Sequence, residues 1–238
     1  MTTILITAGG TSEYIDTVRK ITNSSSGKLG SIIADTLNPN NTYIYYIHSE
    51  KAILPKRTQN IELHPITTTN DVKQKMETLL QNYKIDWVIH SMAISDYTVD
   101  FVTNADMLYN YLNDNGLSIE NIKNNKNNYN KNTKIASSED NLIITLKQTP
   151  KIISLIKHWQ STTHLIGFKL LSGVTEEELI SVATKLKEKN KCDYVIANDL
   201  SNISAKRHKA FIIGEQIETV QTKQEIANKI NELIKRGT

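Results

Sequence analysis

A single cysteine, Cys192, stands in the 238 residues, so no disulfide can form within the chain. That scarcity favours a reducing, cytoplasmic setting. Prolines number only 4 and glycines 9, which excludes collagen-like and proline-rich low-complexity chains. No apolar run approaches the roughly 20 residues of a membrane-spanning helix, so no membrane partner is expected. The opening Met1–Thr7 lacks a basic region and a cleavage-like site, and reads as a first strand rather than a signal peptide. Charge of one sign is also lacking: 28 Lys and Arg against 25 Asp and Glu leave a net +3. Such a balance argues against nucleic acid as a partner while leaving room for a local basic pocket.

Several motifs are missing. There is no G-x-x-x-x-G-K-[ST] and, after the first apolar run, no G-x-G-x-x-G, so neither the P-loop nor the usual dinucleotide fingerprint is present. The 6 histidines show no H-E-x-x-H or other ligand spacing, and no metal-ligating residue is predicted. His90 and His164 fall within strand-like runs and read as packed or pocket-wall residues. Cys192 precedes a buried-looking strand and reads as structural. Asp16, Asp96 and Asp199 are scattered carboxylates, each able to help hold a magnesium-bound triphosphate but forming no motif. A nicotinamide-dependent reductase on a similar sheet would require the fingerprint glycines and often a Tyr-x-x-x-Lys pair, and both are absent.

What is present alternates. Apolar runs at Ile4–Ile6, Tyr43–Ile47, Ile61–Ile66, Trp87–Ile89, Leu142–Leu146, His164–Phe168 and Tyr194–Ala197 read as strands. Helical stripes lie between them: Leu29, Ile32, Ile33 and Leu37; Val72, Met76, Leu79 and Leu80; Ile152 to Trp159; and Thr175 to about Asn190, which opens on three acids. Phe211–Ile213 and Ile217–Val220 read as a hairpin around Gly214-Glu215, followed by an amphipathic helix from about Lys223 to Lys235. Strands alternating with helices predict an α/β, Rossmann-like, doubly wound, mostly parallel sheet with helices on both faces. The expectation is one domain over 1–238, with a flexible insertion at about 101–135. There the pattern weakens into an Asn/Lys-rich run that buries too little apolar surface to offset ordering entropy, a solvated insertion or a substrate-covering flap.

Ligands of such sheets bind at the carboxyl ends of strands. That rule selects Ala8-Gly9-Gly10-Thr11, Ser91 to Asp96, Gly167-Phe168-Lys169 and Ala197-Asn198-Asp199. Gly9, Gly10, Gly27 and Gly30 crowd into the first thirty residues. The run Asn23-Ser24-Ser25-Ser26-Gly27-Lys28-Leu29-Gly30, set before a helix, suits an anion such as phosphate.

These same residues carry a resemblance. Ile4–Glu13 with Ile15-Asp16 and Val18-Arg19, then Ile21–Gly30, closely resemble the opening and signature segment of phosphopantothenoylcysteine synthetases. Ala93–Tyr97, Thr149–Ile153, Ile166–Phe168 and Val195–Asp199 extend the likeness in order over nearly the whole chain, in the free-standing bacterial form seen in streptococci. The resemblance implies a phosphopantothenate–cysteine ligase of coenzyme A synthesis. Such an enzyme activates 4′-phosphopantothenate with CTP (ATP in the human-type enzyme) and magnesium, then couples it to L-cysteine. It implies a homodimer, in which the 101–135 segment reaches the partner's site. By the same likeness Asn23 holds the pantothenate moiety and acyl-nucleotide, and Arg19 binds or organises that region. Gly9, Ser25, Gly27 and Gly30 cradle the triphosphate. Met92 and Ala93 line the nucleotide pocket, with Ala93 also near the substrate, and Asp96, Phe168 and Asn198 add nucleotide contacts. Lys134, in Lys134-Ile135-Ala136-Ser137, matches the loop lysine better than Lys131, although many members carry a K-x-K-K motif that is absent here. Lys185 and Lys189, one helical turn apart, either reach the triphosphate or are solvated. A non-catalytic nucleotide sensor, by contrast, would lack Asn23 or the loop lysine.

Overall fold

The computed structural model describes residues 1–204 and 207–237. In chain order its elements begin β1 (Thr2–Ala8), β2 (Ser12–Tyr14), β3 (Lys20–Thr22), α1 (Lys28–Thr36), β4 (Thr42–Ser49), β5 (Ile61–Ile66), α2 (Thr69–Asn82) and β6 (Trp87–His90). They continue β7 (Tyr97–Asn104), α3 (Ala105–Asn115), α4 (Ile119–Lys123), β8 (Leu142–Gln148), α5 (Ile152–Trp159), β9 (His164–Leu171) and α6 (Glu176–Asn190). The last are β10 (Tyr194–Ile203), β11 (His208–Ile213), β12 (Ile217–Val220) and α7 (Lys223–Arg236). The chain divides into two compact units: Met1–Thr11, Ser24–Ala93 and Lys151–Thr238 form the first, Ser12–Asn23 and Ile94–Pro150 the second.

In the first unit an 8-stranded sheet runs β12-β11-β10-β9-β6-β1-β4-β5. From β5 to β10 every pairing is parallel, and β11 and β12 add an antiparallel hairpin at one edge. The parallel part has the doubly wound order of a Rossmann-like sheet, as the alternation predicted. Its strands read as unbroken apolar runs because both faces are covered: Ile4 to Ala8 are all buried. Ile33 and Ala34 of α1 join Ile226, Ile230, Leu233 and Ile234 of α7 in one core cluster with Ile4, Ile6, Tyr46, Ile89 and Ile196. Helices α2, α5 and α6 bury Met76, Ile156, Leu179 and Ala183. Local chemistry sets the helix starts. Thr68 and Asp71 form a reciprocal capping box before α2, and Thr175 and Thr222 accept from the third amides of α6 and α7.

Two details differ from the sequence pattern. In α1 the buried positions are Gly30, Ser31, Ile33 and Ala34, while Leu29 and Ile32 are half-buried, because the small residues let the helix sit down on the sheet. Strand β10 continues past Asp199 to Ile203 after a register irregularity.

The second unit holds the β2–β3 and β7–β8 hairpins and a small core of Val99, Val102 and Ile135 packed with Ile15, Ile21, Tyr129 and Leu142. The Asn/Lys-rich stretch is tied into it by polar contacts. Asn104 Nδ2 donates to the Tyr129 hydroxyl at 2.7 Å, Tyr129 donates to Glu139, and the Tyr129 amide reaches the Val102 carbonyl at 2.8 Å. Helix α3 buries no residue, which is why its pattern was weak in sequence.

Candidate active site

Strand β1 pairs with β4 on one side and β6 on the other, so the winding reverses there and a crevice opens beyond their carboxyl ends. Gly10 and Ala93 form an isolated parallel bridge across it, with the Ala93 amide donating to the Gly9 carbonyl at 2.9 Å. Beneath lies a relay. The Met92 amide donates to Thr7 Oγ1 at 3.2 Å, and Thr7 Oγ1 lies 3.0 Å from His90 Nδ1. His90 is buried, and burial pulls its pKa down to about 4. The ring is therefore neutral, with Nδ1 hydrogen-bonded to the Thr7 hydroxyl. Met92 is thereby fixed at its backbone, a support that its strand-end position alone did not reveal.

Glycine is required at the floor of this crevice. Gly9 has φ +92°, and a Cβ there would fall 2.0 Å from Ser49 Oγ, the atom that accepts from the Gly10 amide at 3.3 Å. Gly27 has φ +69°, and its Cβ would meet Ala52 Cβ at 2.9 Å and the Gly9 nitrogen at 3.1 Å. A Cβ on Gly30 would lie 2.7 Å from that of Ala8. Gly27 also caps α1 with no side-chain acceptor of its own and no acid in the first turn; the Lys28 amide reaches Ser26 Oγ at 3.4 Å, and the Leu29 and Gly30 amides that follow have no partner among the described residues. Ser25 is exposed, its Oγ 3.5 Å from the Gly27 amide. Ser49 and Ala52 carry no motif and were not legible as part of this floor.

Of the other predicted nucleotide contacts in this unit, Phe168 is half-buried on β9, one residue beyond the level of His90. Asn198 is buried on β10, its amide donating to the Lys209 carbonyl at 3.0 Å. Lys185 and Lys189 are exposed on α6, roughly 14 and 20 Å along the helix from its first residue. A separate groove of about 710 Å³ runs beside α1, walled by Lys28, Ile32, Asp35, Leu54 and Arg57. There Arg57 is committed to the carbonyls of Leu37 and Thr42.

In the second unit Asn23 is half-buried and donates from Nδ2 to the Ile94 carbonyl at 3.2 Å, which fixes the direction of its amide. Asp96 is exposed in the turn before β7, its carbonyl accepting from the Thr149 amide at 3.0 Å. Arg19 pairs with buried Asp16 at 2.8 Å and donates to the Ile135 carbonyl at 3.2 Å. The Arg19 amide foremost, with the Val18 and Ile135 amides and the Arg19 charge, holds the Asp16 carboxyl down to about 2 against the opposing effect of burial. Lys131 Nζ is tied to the Val99 carbonyl at 2.6 Å, and burial lowers its pKa. Lys134 is exposed and makes no hydrogen bond or ion pair among the described residues.

The nucleophile and metal readings narrow accordingly. Cys192 is buried and its thiol is pushed up to about 12, chiefly by burial, so it stays protonated. Asp16 accepts two hydrogen bonds at each of its oxygens. Asp199 accepts from Ser201 through hydroxyl and amide, at 2.7 and 2.8 Å, and from the Gly173 and Val174 amides. Among the described residues no three His, Cys, Asp or Glu side chains converge as a metal site. This donor set does not build a cage for a resident ion. Among the described residues no helix is long and apolar enough to cross a membrane.

Fold and topology together define a doubly wound α/β protein whose Gly9 and Gly27 meet at the switch point of its sheet. The profile of the DNA/pantothenate metabolism flavoprotein C-terminal domain matches residues 1–125 and 121–237, and the chain belongs to that family. A crystal structure of the DNA/pantothenate metabolism flavoprotein from Streptococcus pneumoniae is 41% identical and matches over 100% of both chains with a TM-score of 0.88. The coenzyme A biosynthesis bifunctional protein CoaBC of Thermococcus kodakarensis is 31% identical over 95% of this chain and 49% of its own. Its Methanocaldococcus jannaschii namesake is 30% identical over 98% and 50%. The chain thus spans about half the length of the curated relatives it matches.

Proposed function

We propose that the protein is a phosphopantothenate–cysteine ligase of coenzyme A biosynthesis, using CTP, with ATP as the alternative co-substrate. The observation that carries this reading is the convergence of Gly9 and Gly27 at the head of an uncapped α1, in a chain similar over 95% of its length to a coenzyme A biosynthesis bifunctional protein. In the proposed reaction the carboxylate of 4′-phosphopantothenate attacks the α-phosphorus of the nucleotide. The bond to pyrophosphate breaks and an acyl-cytidylate forms. The amine of L-cysteine then attacks the acyl carbon, expels CMP and loses a proton, leaving the amide. Both steps gather negative charge, so fixed donors and cations serve them better than a covalent nucleophile. A protonated, buried Cys192 agrees with that.

Roles follow the chemistry of each side chain. Gly9, Ser25, Gly27 and Gly30 receive the triphosphate. Met92, Ala93, Asp96, Phe168 and Asn198 contact the nucleoside, and Ala93 also borders the substrate. Asn23 holds the acyl group through an amide that donates and accepts without changing charge. Arg19 and Lys134 supply positive charge to the developing anion. Lys185 and Lys189 remain candidates for the triphosphate only if it extends along α6. Magnesium bound to the triphosphate would neutralise charge on the leaving pyrophosphate. A homodimer in the cytoplasm is the expected form.

The test is pyrophosphate release from CTP or ATP, in parallel, with magnesium, 4′-phosphopantothenate and cysteine. Release that requires phosphopantothenate, with cysteine-dependent product, supports the ligase and ranks the nucleotides. Folded protein that releases none with either would sink the reading in favour of a nucleotide sensor.

A further inference from the structure

Asp16 is fully buried in the second unit, yet it lies on a short loop between β2 and β3. Its Oδ1 accepts from the Val18 and Arg19 amides at 2.8 and 2.7 Å. Its Oδ2 accepts from Arg19 Nη1 at 2.8 Å and from the Ile135 amide at 3.2 Å. Arg19 Nη1 donates in turn to the Ile135 carbonyl at 3.2 Å. Both backbone groups of Ile135 are therefore clasped by one acid–base pair more than a hundred residues earlier in the chain. The Ile135 side chain adds an apolar anchor, 3% exposed among Val99 and Val102. Next to this doubly anchored residue stands exposed Lys134.

We propose that Asp16 is a positioning residue of the ligase reaction, fixing the Lys134–Ile135 backbone and the Arg19 guanidinium so that both cations are presented in one orientation. This rests on the reading of the chain as a ligase with Lys134 as its loop lysine. A lysine carries its charge on a flexible four-carbon stem, so its aim depends on how firmly its Cα is held. A loop displaced by about 1 Å can lower a rate by the order of a hundredfold without touching substrate. With all four donors in place, Asp16 has no oxygen turned toward a metal, so its burial serves the loop.

The experiment uses the full chain carrying Asp16→Asn, whose amide NH₂ would face one of the N–H donors. Two readouts are taken: steady-state pyrophosphate release, and hydrogen exchange of the peptide containing Ile135. The expected result is a kcat lowered by the order of tenfold to a hundredfold. The nucleotide KM stays within about twofold, because the glycine floor is untouched. Exchange at Ile135 becomes faster while the α1 peptide is unchanged. Unchanged exchange at Ile135 overturns the proposal, as does an unchanged kcat or a nucleotide KM that rises in step with the loss. If wild-type protein releases no pyrophosphate, the ligase reading fails, and exchange alone still decides whether Asp16 anchors the loop. Should Asp16→Asn not fold, Asp16→Glu keeps the charge, displaces the carboxylate by one methylene and is judged by the same readouts.

Discussion

His90 makes stability depend on pH in a way that can be worked out in advance. Burial lowers its pKa from about 6.5 to about 4. Between those values the unfolded chain binds the proton that the folded chain refuses, so stability is complete above pH 6.5 and declines as pH falls toward 4. Applying the linkage relation to these two values, about 2 kcal/mol is lost between pH 7 and pH 5, and about 3 kcal/mol by pH 4. Burial also lowers the pKa of His64 and His208, so the wild-type slope contains their contributions too. The informative comparison is His90→Asn. Its amide can meet the Thr7 hydroxyl either as acceptor or as donor, and it does not titrate. Loss of ring volume lowers stability by the order of 1–3 kcal/mol at every pH, which leaves the slope diagnostic. Urea unfolding of both proteins at pH 7, 6 and 5 gives the two slopes, and wild type should lose about 2 kcal/mol more than the variant. Coincident slopes would refute the picture of a neutral, desolvated imidazole beneath Met92.

Three further outcomes are expected. Gly27→Ala forces a left-handed residue with φ +69° to carry a Cβ 2.9 Å from that of Ala52, so it should lower stability by at least about 1 kcal/mol and weaken nucleotide binding. Calorimetric melting and a nucleotide titration check both effects, and unaltered affinity would remove Gly27 from the site. Tyr46 is fully buried and its hydroxyl has no hydrogen-bond partner among the described residues, so Tyr46→Phe should be neutral or stabilising by about 1 kcal/mol in denaturant titration. A clear loss would mean that the hydroxyl is paired in solution. Lys134→Ala should slow pyrophosphate release by the order of a hundredfold and Lys131→Ala far less, since Lys131 is engaged by the Val99 carbonyl. The reverse order would exchange their roles.

The sheet was readable because burial on both faces writes a parallel strand as an unbroken apolar run, and β1, β4, β6, β9 and β10 all carry one. The second unit was less so. Its β2 and β3 are 3 residues each, too short for any period, and β8 leaves Ile144 and Leu146 well exposed, so no face is cleanly buried. Asp16 was visible only as one of three scattered carboxylates, each able to help hold a magnesium-bound triphosphate. Its true partners include Ile135, a contact of high sequence separation with no local trace. The resemblance favoured Lys134 over Lys131, and what sequence could not show is that Lys131 is half-buried and tied to the Val99 carbonyl while Lys134 is exposed.

The missing dinucleotide fingerprint has a related explanation. That motif sets three glycines within six residues: one for the turn, one for close approach to phosphate and one for helix–strand packing. Here the connection from β1 to α1 is interrupted by Ser12–Asn23, which belongs to the second unit, so the glycines are divided between Gly9 and the pair Gly27 and Gly30. Space reunites them. A Cβ on Gly27 would lie 3.1 Å from the Gly9 nitrogen, and one on Gly30 would strike Ala8 at 2.7 Å, the close packing that the third glycine of the fingerprint permits. The physical demand for bare backbone beside an uncapped helix start is therefore met without the spacing that a pattern search requires. Its mark on the sequence is compositional, with 4 of the 9 glycines lying in the first thirty residues.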